Sequence, residues 1–166
     1  MDWADLYRAV FPDLVRYLHR KVWDEERAHE LAQEVFVRAL REEPERPRAW
    51  LFTVAANLAR DEIRTVVRRK KHLTLLKGEM ETQTVGNDPD SVLERSQRNL
   101  DVRAALESLS ERDREILLLW DAGFGYGEIA EQTGLAPGAI GTTLARARRR
   151  LVEAYQGREE SDVAHP

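Results

Sequence analysis

The first half of the chain has apolar residues at helical spacing, and the interruptions between them predict where helices begin and end. One such repeat runs from Trp3 to Val22, and because Pro12 suits the first turn of a helix, we expect two short consecutive helices there. Asp24 can cap a further helix that ends near Arg41. The following segment carries two prolines and is expected to be a loop, after which a long helix is predicted from Pro47 to about Arg69.

The helix after Asp24 and the helix after Pro47 each have an apolar stripe, which predicts the side that faces the core. Polar side chains occupy the other sides of both helices, so those sides are available to solvent or to partners. The stripes are Ala28, Leu31, Ala32, Val35, Ala39 and Leu40 on the first helix, and Trp50, Leu51, Val54 and Leu58 on the second.

The helical pattern stops in the middle of the chain. Residues 72–90 contain two glycines and a proline and have no sustained period, so we expect a flexible linker there. A helix follows directly and is expected to end near Ser108. Ser110 together with Asp113 forms a capping signature for the next helix, which Gly123 ends.

The last part of the chain has the pattern of a helix, a tight turn and a second helix. The short first helix is expected from about Tyr126 to Gln132, with Gly134 in the turn, and Pro137 opens a final helix that runs to about Tyr155. Residues 158–166 are polar and are expected to fray.

No strand-like alternation persists anywhere, so the predicted fold class is all-α. We expect two small helical domains joined by a flexible linker, the C-terminal one a helix-turn-helix. The predicted divisions are a domain at residues 1–71, the linker at 72–90, the helix-turn-helix domain at 91–157 and the polar tail at 158–166.

Charge is distributed unevenly along a chain whose net charge is −4. Residues 60–71 hold six basic and two acidic residues, residues 146–150 hold four basic residues and no acid, and residues 72–145 carry a net charge of −7. Two basic patches in an acidic chain indicate two surfaces that bind phosphates. Solvated helix faces are the alternative explanation of such charge runs.

The absence of cysteine excludes disulfides, thiolate zinc sites and cysteine nucleophiles. The first residues are acidic and amphipathic, unlike a signal peptide, and no stretch approaches the roughly 20 apolar residues of a membrane span. We therefore expect a cytoplasmic protein.

The final helix has one apolar side and one side of small residues and arginines. At about 100° per residue, Ile140 and Leu144 lie on the apolar side, whereas Thr142 and Arg146 point the other way. A DNA-reading helix needs both an anchoring stripe and an opposite face that is free for the groove. An ordinary helical hairpin with a basic outer helix is the alternative.

The segment LSERDREILLLWDAGFGYGEIAEQTGLAPGAIGTTLARARRRL resembles region 4 of the extracytoplasmic-function (ECF) sigma factors of bacterial RNA polymerase. Gly127 and Gly141 depart from the family pattern, in which an acid is common at the first position and a polar or basic residue at the second. The resemblance implies a domain that reads the −35 promoter element and rests on the flap of the polymerase β subunit. The implied −35 contacts are Ala139, Thr142, Thr143, Arg146 and Arg149.

The segment AHELAQEVFVRAL, residues 28–40, resembles region 2.2 of the same family. In that family this helix docks on the clamp coiled coil of the β′ subunit, so the resemblance implies binding to core polymerase here. The matching polar positions are Glu30, Gln33, Glu34 and Arg38.

The segment PRAWLFTVAANLARDEIRTVVRRKK resembles the family's strand-engaging helix, and the loop before it, residues 42–48, lies where the family captures a flipped −10 base. Asp61 is expected to have a structural role, pairing with Asn57 or Arg64. A polar strip on this helix suits backbone phosphates or an exposed strand. The implied −10 contacts are Asn57, Arg60, Arg64 and Arg68.

Other classes of function fit the sequence less well than a sigma factor does. His29 begins HELAQ, which resembles a zinc-peptidase motif, but Gln33 replaces the second histidine, so we expect no metal, no cofactor and no catalytic residue. A dimeric repressor would need only the C-terminal reader, and a sigma-like adaptor would have little reason to keep both basic patches. The family resemblance also implies an anti-sigma factor as a partner, through which the chain could be tethered to a membrane.

Overall fold

The computed structural model describes residues 2–77 and 89–164. Within those residues the chain forms helices and no strand, which confirms the all-α class. The helices fall into two compact units, one holding α1–α3 and the other α4–α7. The helix bounds are α1 Trp3–Val22, α2 Glu25–Glu42, α3 Pro47–Lys77, α4 Pro89–Glu107, α5 Glu111–Asp121, α6 Tyr126–Thr133 and α7 Pro137–Ala164.

α1 is one continuous helix with Pro12 inside it, so the prediction of two consecutive helices is wrong. A proline within a helix removes one backbone hydrogen bond. The helix nevertheless continues, because Val10 and Phe11 before the proline and Leu14 after it share one buried stripe. Pro12 itself lies on the exposed side, where water can solvate the carbonyl that has lost its partner.

α2 begins where it was predicted, because the Asp24 carboxylate accepts a hydrogen bond of 3.0 Å from the backbone N–H of Arg27. Most of the predicted apolar stripe is buried, but Leu40 is exposed and Phe36 is buried instead. Leu40, four residues after Phe36, lies further round the helix, beyond the edge of the apolar stripe that faces α1 and α3. The expectation that Leu40 belongs to the core is therefore wrong.

α3 starts at Pro47 as predicted and continues to Lys77, well past the expected end near Arg69. The residues after Arg69 include no glycine or proline before Gly78, and the Thr74 hydroxyl donates to the Lys70 carbonyl within the helix. Residues 72–77 of the predicted linker are therefore helical, and residues 78–88 lie outside the described residues.

The core stripe of α3 is rotated from the predicted one. α3 packs against both α1 and α2, so its buried side faces between those two helices, and the Phe52 ring meets the Tyr17 ring of α1 at 5.1 Å. The buried residues are Leu51, Phe52, Ala55 and Ala59, whereas Trp50, Val54 and Leu58 of the predicted stripe are only half-buried.

The second unit begins with α4 and α5, joined by a short turn. The Ser110 hydroxyl accepts the backbone N–H of Asp113 at 3.1 Å, which confirms the predicted cap of α5. Gly123 follows that helix with φ +96°, a conformation that favours glycine. The apolar core of this unit includes Leu106, Ile116, Leu119, Phe124, Ile129, Ile140 and Leu144.

α7 extends to Ala164, well past its predicted end near Tyr155, so the described part of the tail is helical. The expected fraying of the tail stays a prediction. α4 packs along α7. Arg158 of α7 places its Nε 3.4 Å from Oδ1 of Asp101, a buried acid on α4. This ion pair joins the first residue of the tail to α4, a contact that its polar sequence does not reveal.

Candidate nucleic-acid interfaces

The candidate polymerase contacts lie on one outer side of α2, which we call the α2 docking face: Glu30, Gln33, Glu34 and Arg38. Glu34 is half-buried and the other three are exposed. Arg38 Nη2 and Glu34 Oε1 form an ion pair of 2.9 Å along the helix. Two exposed apolar side chains, Val37 and Leu40, stand beside these polar groups. The face is therefore mixed in character, as expected of a surface that a protein covers.

An arginine at the start of α2 links the α2 docking face to α3. Arg27 Nη1 donates to Glu30 at 2.9 Å, and its Nε and Nη2 donate to the two oxygens of Glu62 at 2.8 and 3.0 Å. These hydrogen bonds lower the pKa of the Glu62 carboxyl, and that carboxylate raises the pKa of Arg27 in turn. The pair joins residues 35 positions apart, so no local pattern in the sequence could have revealed it.

The predicted −10 contacts form a continuous exposed row on α3, which we call the α3 basic stripe: Asn57, Arg60, Arg64 and Arg68. Arg60 Nη1 and the Asn57 side-chain oxygen are 3.5 Å apart. Lys71 falls on the same side one turn after Arg68 and was missed, because the helix was expected to end before it.

The C-terminal half of α3 has no buried side chain between Arg60 and Leu76. Arg64 and Arg68 form no ion pair within residues 2–77, so their charge is unneutralised there. Asp61 is also exposed and its carboxylate has no partner in the described chain, so the expectation that it pairs with Asn57 or Arg64 is wrong. The loop between α2 and α3 has Glu43 at φ +45°, and its predicted role in base capture stays a prediction.

The helix-turn-helix consists of α6, a turn at Gly134 and α7. Gly134 has φ +75°, which suits a residue without a side chain, and its N–H bonds the Ala130 carbonyl to close α6. Ile140 and Leu144 are buried, which confirms the predicted apolar side of α7, and Ala147 is buried beside them. The opposite side of α7 is thus turned outward.

Four of the five predicted −35 contacts are exposed on that outward side, which we call the α7 reading face: Ala139, Thr142, Arg146 and Arg149. The fifth, Thr143, has only 8% of its surface exposed. At about 100° per residue Thr143 is turned from the outward side toward the core. Thr143 therefore does not lie on the α7 reading face, contrary to the prediction.

Arg146 and Arg150, which are one turn apart on α7, lie over Asp113, a buried acid on α5. Asp113 has a side chain that is 3% exposed, and its Oδ1 lies 3.9 Å from Arg146 Nη2. Its Oδ2 lies 3.8 Å from Arg150 Nη1. Oδ1 has no hydrogen-bond partner in the described structure. The sequence indicates only a capping role for Asp113, since its tertiary partners are remote in the chain.

The other flank of α7 is occupied by aromatic rings. The Arg148 guanidinium lies 5.2 Å from the centre of the Trp120 ring, and Trp120 lies 5.4 Å from the Tyr126 ring. A side chain at Gly141 would place its Cβ 3.3 Å from Tyr126. Gly141 therefore faces this ring, and its lack of a side chain concerns packing on the flank rather than the α7 reading face.

Neither the histidine motif nor the apolar segments add another kind of site in the described part of the chain. The His29 ring packs against Phe11 at 5.3 Å. Residues 2–77 and 89–164 contain no cluster of three potential metal ligands. No helix among them is both long and apolar enough to cross a membrane.

Two helical units, one of them ending in a helix-turn-helix with an exposed basic helix, define a modular DNA-binding protein. Family models give the particular kind: Sigma-70 region 2 matches residues 6–69, and Sigma-70, region 4 matches residues 99–151. The chain belongs to the sigma-70 family of RNA polymerase sigma factors, in its ECF group.

Similar proteins support this membership over nearly the whole chain. The RNA polymerase sigma factor YlaC of Bacillus subtilis is 31% identical over 166 residues, which cover 96% of this chain and 95% of YlaC. The ECF RNA polymerase sigma factor SigL of Mycobacterium tuberculosis is 31% identical, with 89% of this chain and 88% of SigL covered. The sigma factor RpoE of Bartonella quintana, solved in complex with the anti-sigma factor NepR, is similar with a TM-score of 0.60, 25% identity and coverage of 93% and 97%.

The chain is accordingly a transcription initiation factor that binds core RNA polymerase and directs initiation at promoters. Its region 2 unit engages the −10 element and its region 4 unit reads the −35 element, the division of labour of these two regions.

Proposed function

We propose that three exposed surfaces carry this activity: the α2 docking face binds core polymerase, the α3 basic stripe engages the −10 strand, and the α7 reading face contacts the −35 duplex. The observation that supports this most is the pair of arginine rows on α3 and α7. Each row lies opposite the buried side of its own helix and is open to solvent. The functional divisions remain residues 1–71 and 91–157 in this proposal.

The α2 docking face suits a protein partner better than a nucleic acid. Its outer side includes Glu30 and Glu34, which would repel phosphates, next to the exposed apolar side chains of Val37 and Leu40. Arg27 holds Glu30 from one end through a hydrogen bond of 2.9 Å. A surface of this kind gains from desolvating its apolar part while its charges select the partner.

The α3 basic stripe suits a single strand. Its arginines are exposed along a helix that extends beyond its packed part, so a flexible strand can follow them without a groove of fixed width. Melting frees the bases, and the loop before α3, residues 42–48, remains our candidate for capturing one of them.

The α7 reading face suits duplex DNA. Ala139 and Thr142 are small and lie near the helix start, so the backbone can approach base edges closely. Arg146 and Arg149 follow on the same side, where they can reach phosphates. Contacts of this sort position the helix in the groove, and the small residues leave room for base contacts.

We also propose an anti-sigma factor as a partner, on the strength of the similar sigma factor that was solved with one. The chain would act in the cytoplasm, tethered to a membrane only where that partner is. Its role is binding rather than catalysis, in keeping with the family.

The test is transcription in vitro with purified core polymerase and a pool of promoters, with wild type, Arg146→Ala and Arg64→Ala compared. We expect Arg146→Ala to weaken initial duplex binding, with a loss that shrinks as salt rises, and Arg64→Ala to slow strand opening more than binding. Arg103→Ala is the matched control, since Arg103 is an exposed arginine paired with Glu107 on α4.

Core binding is measured separately with Glu30→Lys, which we expect to lower affinity for core polymerase. Asp5→Lys is its control, because Asp5 is an exposed acid paired with Arg8 on α1. A wild-type chain that neither binds core nor starts transcripts would refute the whole proposal, whereas equal losses at both DNA steps for both arginine variants would refute only the division between the two helices.

A further inference from the structure

A buried carboxylate under two arginines is the least expected feature of the second unit. Burying an ionised carboxylate is costly unless opposite charge or hydrogen bonds compensate it. One oxygen of Asp113 accepts no hydrogen bond within the described residues, and the guanidiniums of Arg146 and Arg150 stand 3.9 and 3.8 Å away. Those two arginines are themselves 45% and 58% exposed. The acid therefore draws them toward α5 while their outer sides stay open.

We propose that Asp113 is a positioning residue, which holds Arg146 and Arg150 in place so that their guanidiniums already face the DNA backbone before the duplex arrives. The inference rests on the proposed −35 contact of Arg146. A free arginine loses side-chain entropy when DNA immobilises it. An arginine that is already restrained loses less, so restraint increases affinity without adding a contact.

The position of these residues on α7 explains why restraint matters there. Arg146 and Arg150 are one helical turn apart, about 6 Å along the axis, and lie on the same edge of the α7 reading face. Arg148 lies at the opposite edge, over Trp120. Asp113 and Trp120 are themselves two turns apart on one side of α5. α5 thus supports arginines on both edges of the helix that would enter the groove.

A simpler reading gives Asp113 a role in folding alone, because an acid in the first turn of α5 favours the helix dipole. The two readings predict different results for Asp113→Asn. Removing a negative charge close to the DNA surface would, by electrostatics alone, tighten DNA binding. Loss of positioning would weaken it. The sign of the change in affinity therefore separates the readings.

The experiment measures the affinity of holoenzyme, assembled from the full chain and core polymerase, for a duplex that wild-type holoenzyme selects from a randomised −35 pool. We expect Asp113→Asn to weaken binding by about three- to tenfold. The matched control is Asp101→Asn, which also removes a buried acid of the second unit, one that is paired with Arg158 on the far part of α7. We expect it to leave affinity within about twofold.

The effect should also depend on the arginines. In a chain carrying Arg146→Ala and Arg150→Ala, Asp113→Asn should no longer weaken binding, because nothing remains to be positioned. Unchanged or tighter binding by Asp113→Asn in the otherwise wild-type chain overturns the inference and leaves the proposed −35 contact intact. If the double arginine change itself has no effect on DNA affinity, the inference and that contact both fail.

A second measurement does not require Asp113 to be substituted. Relaxation of the arginine Nε nuclei by NMR, in the wild-type full chain, reports how restricted each guanidinium is. Arg146 and Arg150 should be more ordered than Arg149, which lies on the same exposed side with no ion pair in the described structure. Equal mobility of all three overturns the inference even if Asp113→Asn does not fold.

Discussion

The α3 basic stripe and the α7 reading face differ in what surrounds their arginines. On α3, Arg64 and Arg68 project from a stretch with no buried side chain and have no ion pair in the described chain. On α7, by contrast, Arg146 approaches Asp113 of α5, and Arg148, just beside the reading face, lies over Trp120. One helix extends beyond its support, and the other lies against a second helix that places an acid and an aromatic ring near its cations.

This difference corresponds to the two forms of DNA that the units meet. A duplex has phosphates at fixed spacings, so cations that are restrained beforehand can match them at low entropic cost. A melted strand has no fixed path, so exposed and adaptable arginines serve it better. Under the positioning role proposed for Asp113, support by α5 helps the α7 arginines to match a duplex, and similar support on α3 would bring no comparable advantage.

The largest expected effect comes from removing the unsupported cations of α3. Arg64→Ala combined with Arg68→Ala should slow open-complex formation by about tenfold or more. The slope of log affinity for the −10 strand against log salt concentration should become shallower by about 0.7 per lost phosphate contact. Fluorescence of a reporter base placed in the −10 strand follows the opening. Arg69→Ala is the matched control, because Arg69 is an exposed neighbour outside the stripe, and its charge acts on Glu62, whose pKa it lowers. Equal slowing by the control variant would count against the stripe.

A smaller effect is expected when arginine is replaced by lysine, which changes the shape of the side chain and keeps its charge. This substitution should distinguish restrained arginines from unrestrained ones. Lysine lacks the planar fork of arginine but carries the same charge. We expect Arg64→Lys to keep open-complex formation within about twofold of wild type, while Arg146→Lys weakens duplex affinity by about threefold or more. Rates of opening and equilibrium affinities of the same holoenzymes supply both values. Similar tolerance at the two positions would show that restraint on α7 does not matter.

The smallest expected effect concerns stability and the pair that joins α2 to α3. The hydrogen bonds from Arg27 lower the pKa of Glu62 below its ordinary value of 4.5. Between the lowered pKa and 4.5 the unfolded chain binds more protons than the folded one, so the stabilisation is present above pH 4.5 and is lost as pH falls through that window. The pair is partly exposed, so we expect Arg27→Gln to cost about 0.5–1 kcal/mol at pH 7.

Thermal unfolding at pH 7 and at acidic pH checks this expectation. The difference between wild type and Arg27→Gln should shrink on acidification, whereas Arg8→Gln, which breaks a more exposed pair with Asp5, should cost less at either pH. A cost of Arg27→Gln that is the same at both pH values would contradict the assigned role of Glu62.

Local patterns predicted much of this structure correctly. The caps at Asp24 and Ser110, the start of α3 at Pro47 and the turn at Gly134 follow from backbone chemistry that a few neighbouring residues determine. The predictions failed where packing competes with a local signal. Pro12 did not break α1, because a buried stripe continues across it.

The candidate surfaces could be predicted in outline for the same reason. Helical spacing places Arg64 with Arg68 and Arg146 with Thr142 whatever the helix packs against, and these residues are exposed as expected. The spacing of residues does not specify whether a residue at the edge of an apolar stripe is buried or exposed. Thr143 and Leu40 both lie at edges, and only the neighbouring helices determined that the first is buried and the second exposed.

The sequence by itself determined that this protein is helical, that it has two basic helices, and that it resembles the ECF sigma factors, because periodicity, capping and motif are properties of residues close together in the chain. Only the tertiary structure decided how the arginines are held. Asp113 and Arg146, or Arg27 and Glu62, meet through the packing of separate helices. Such contacts depend on the relative rotation and position of two helices, which no local pattern specifies.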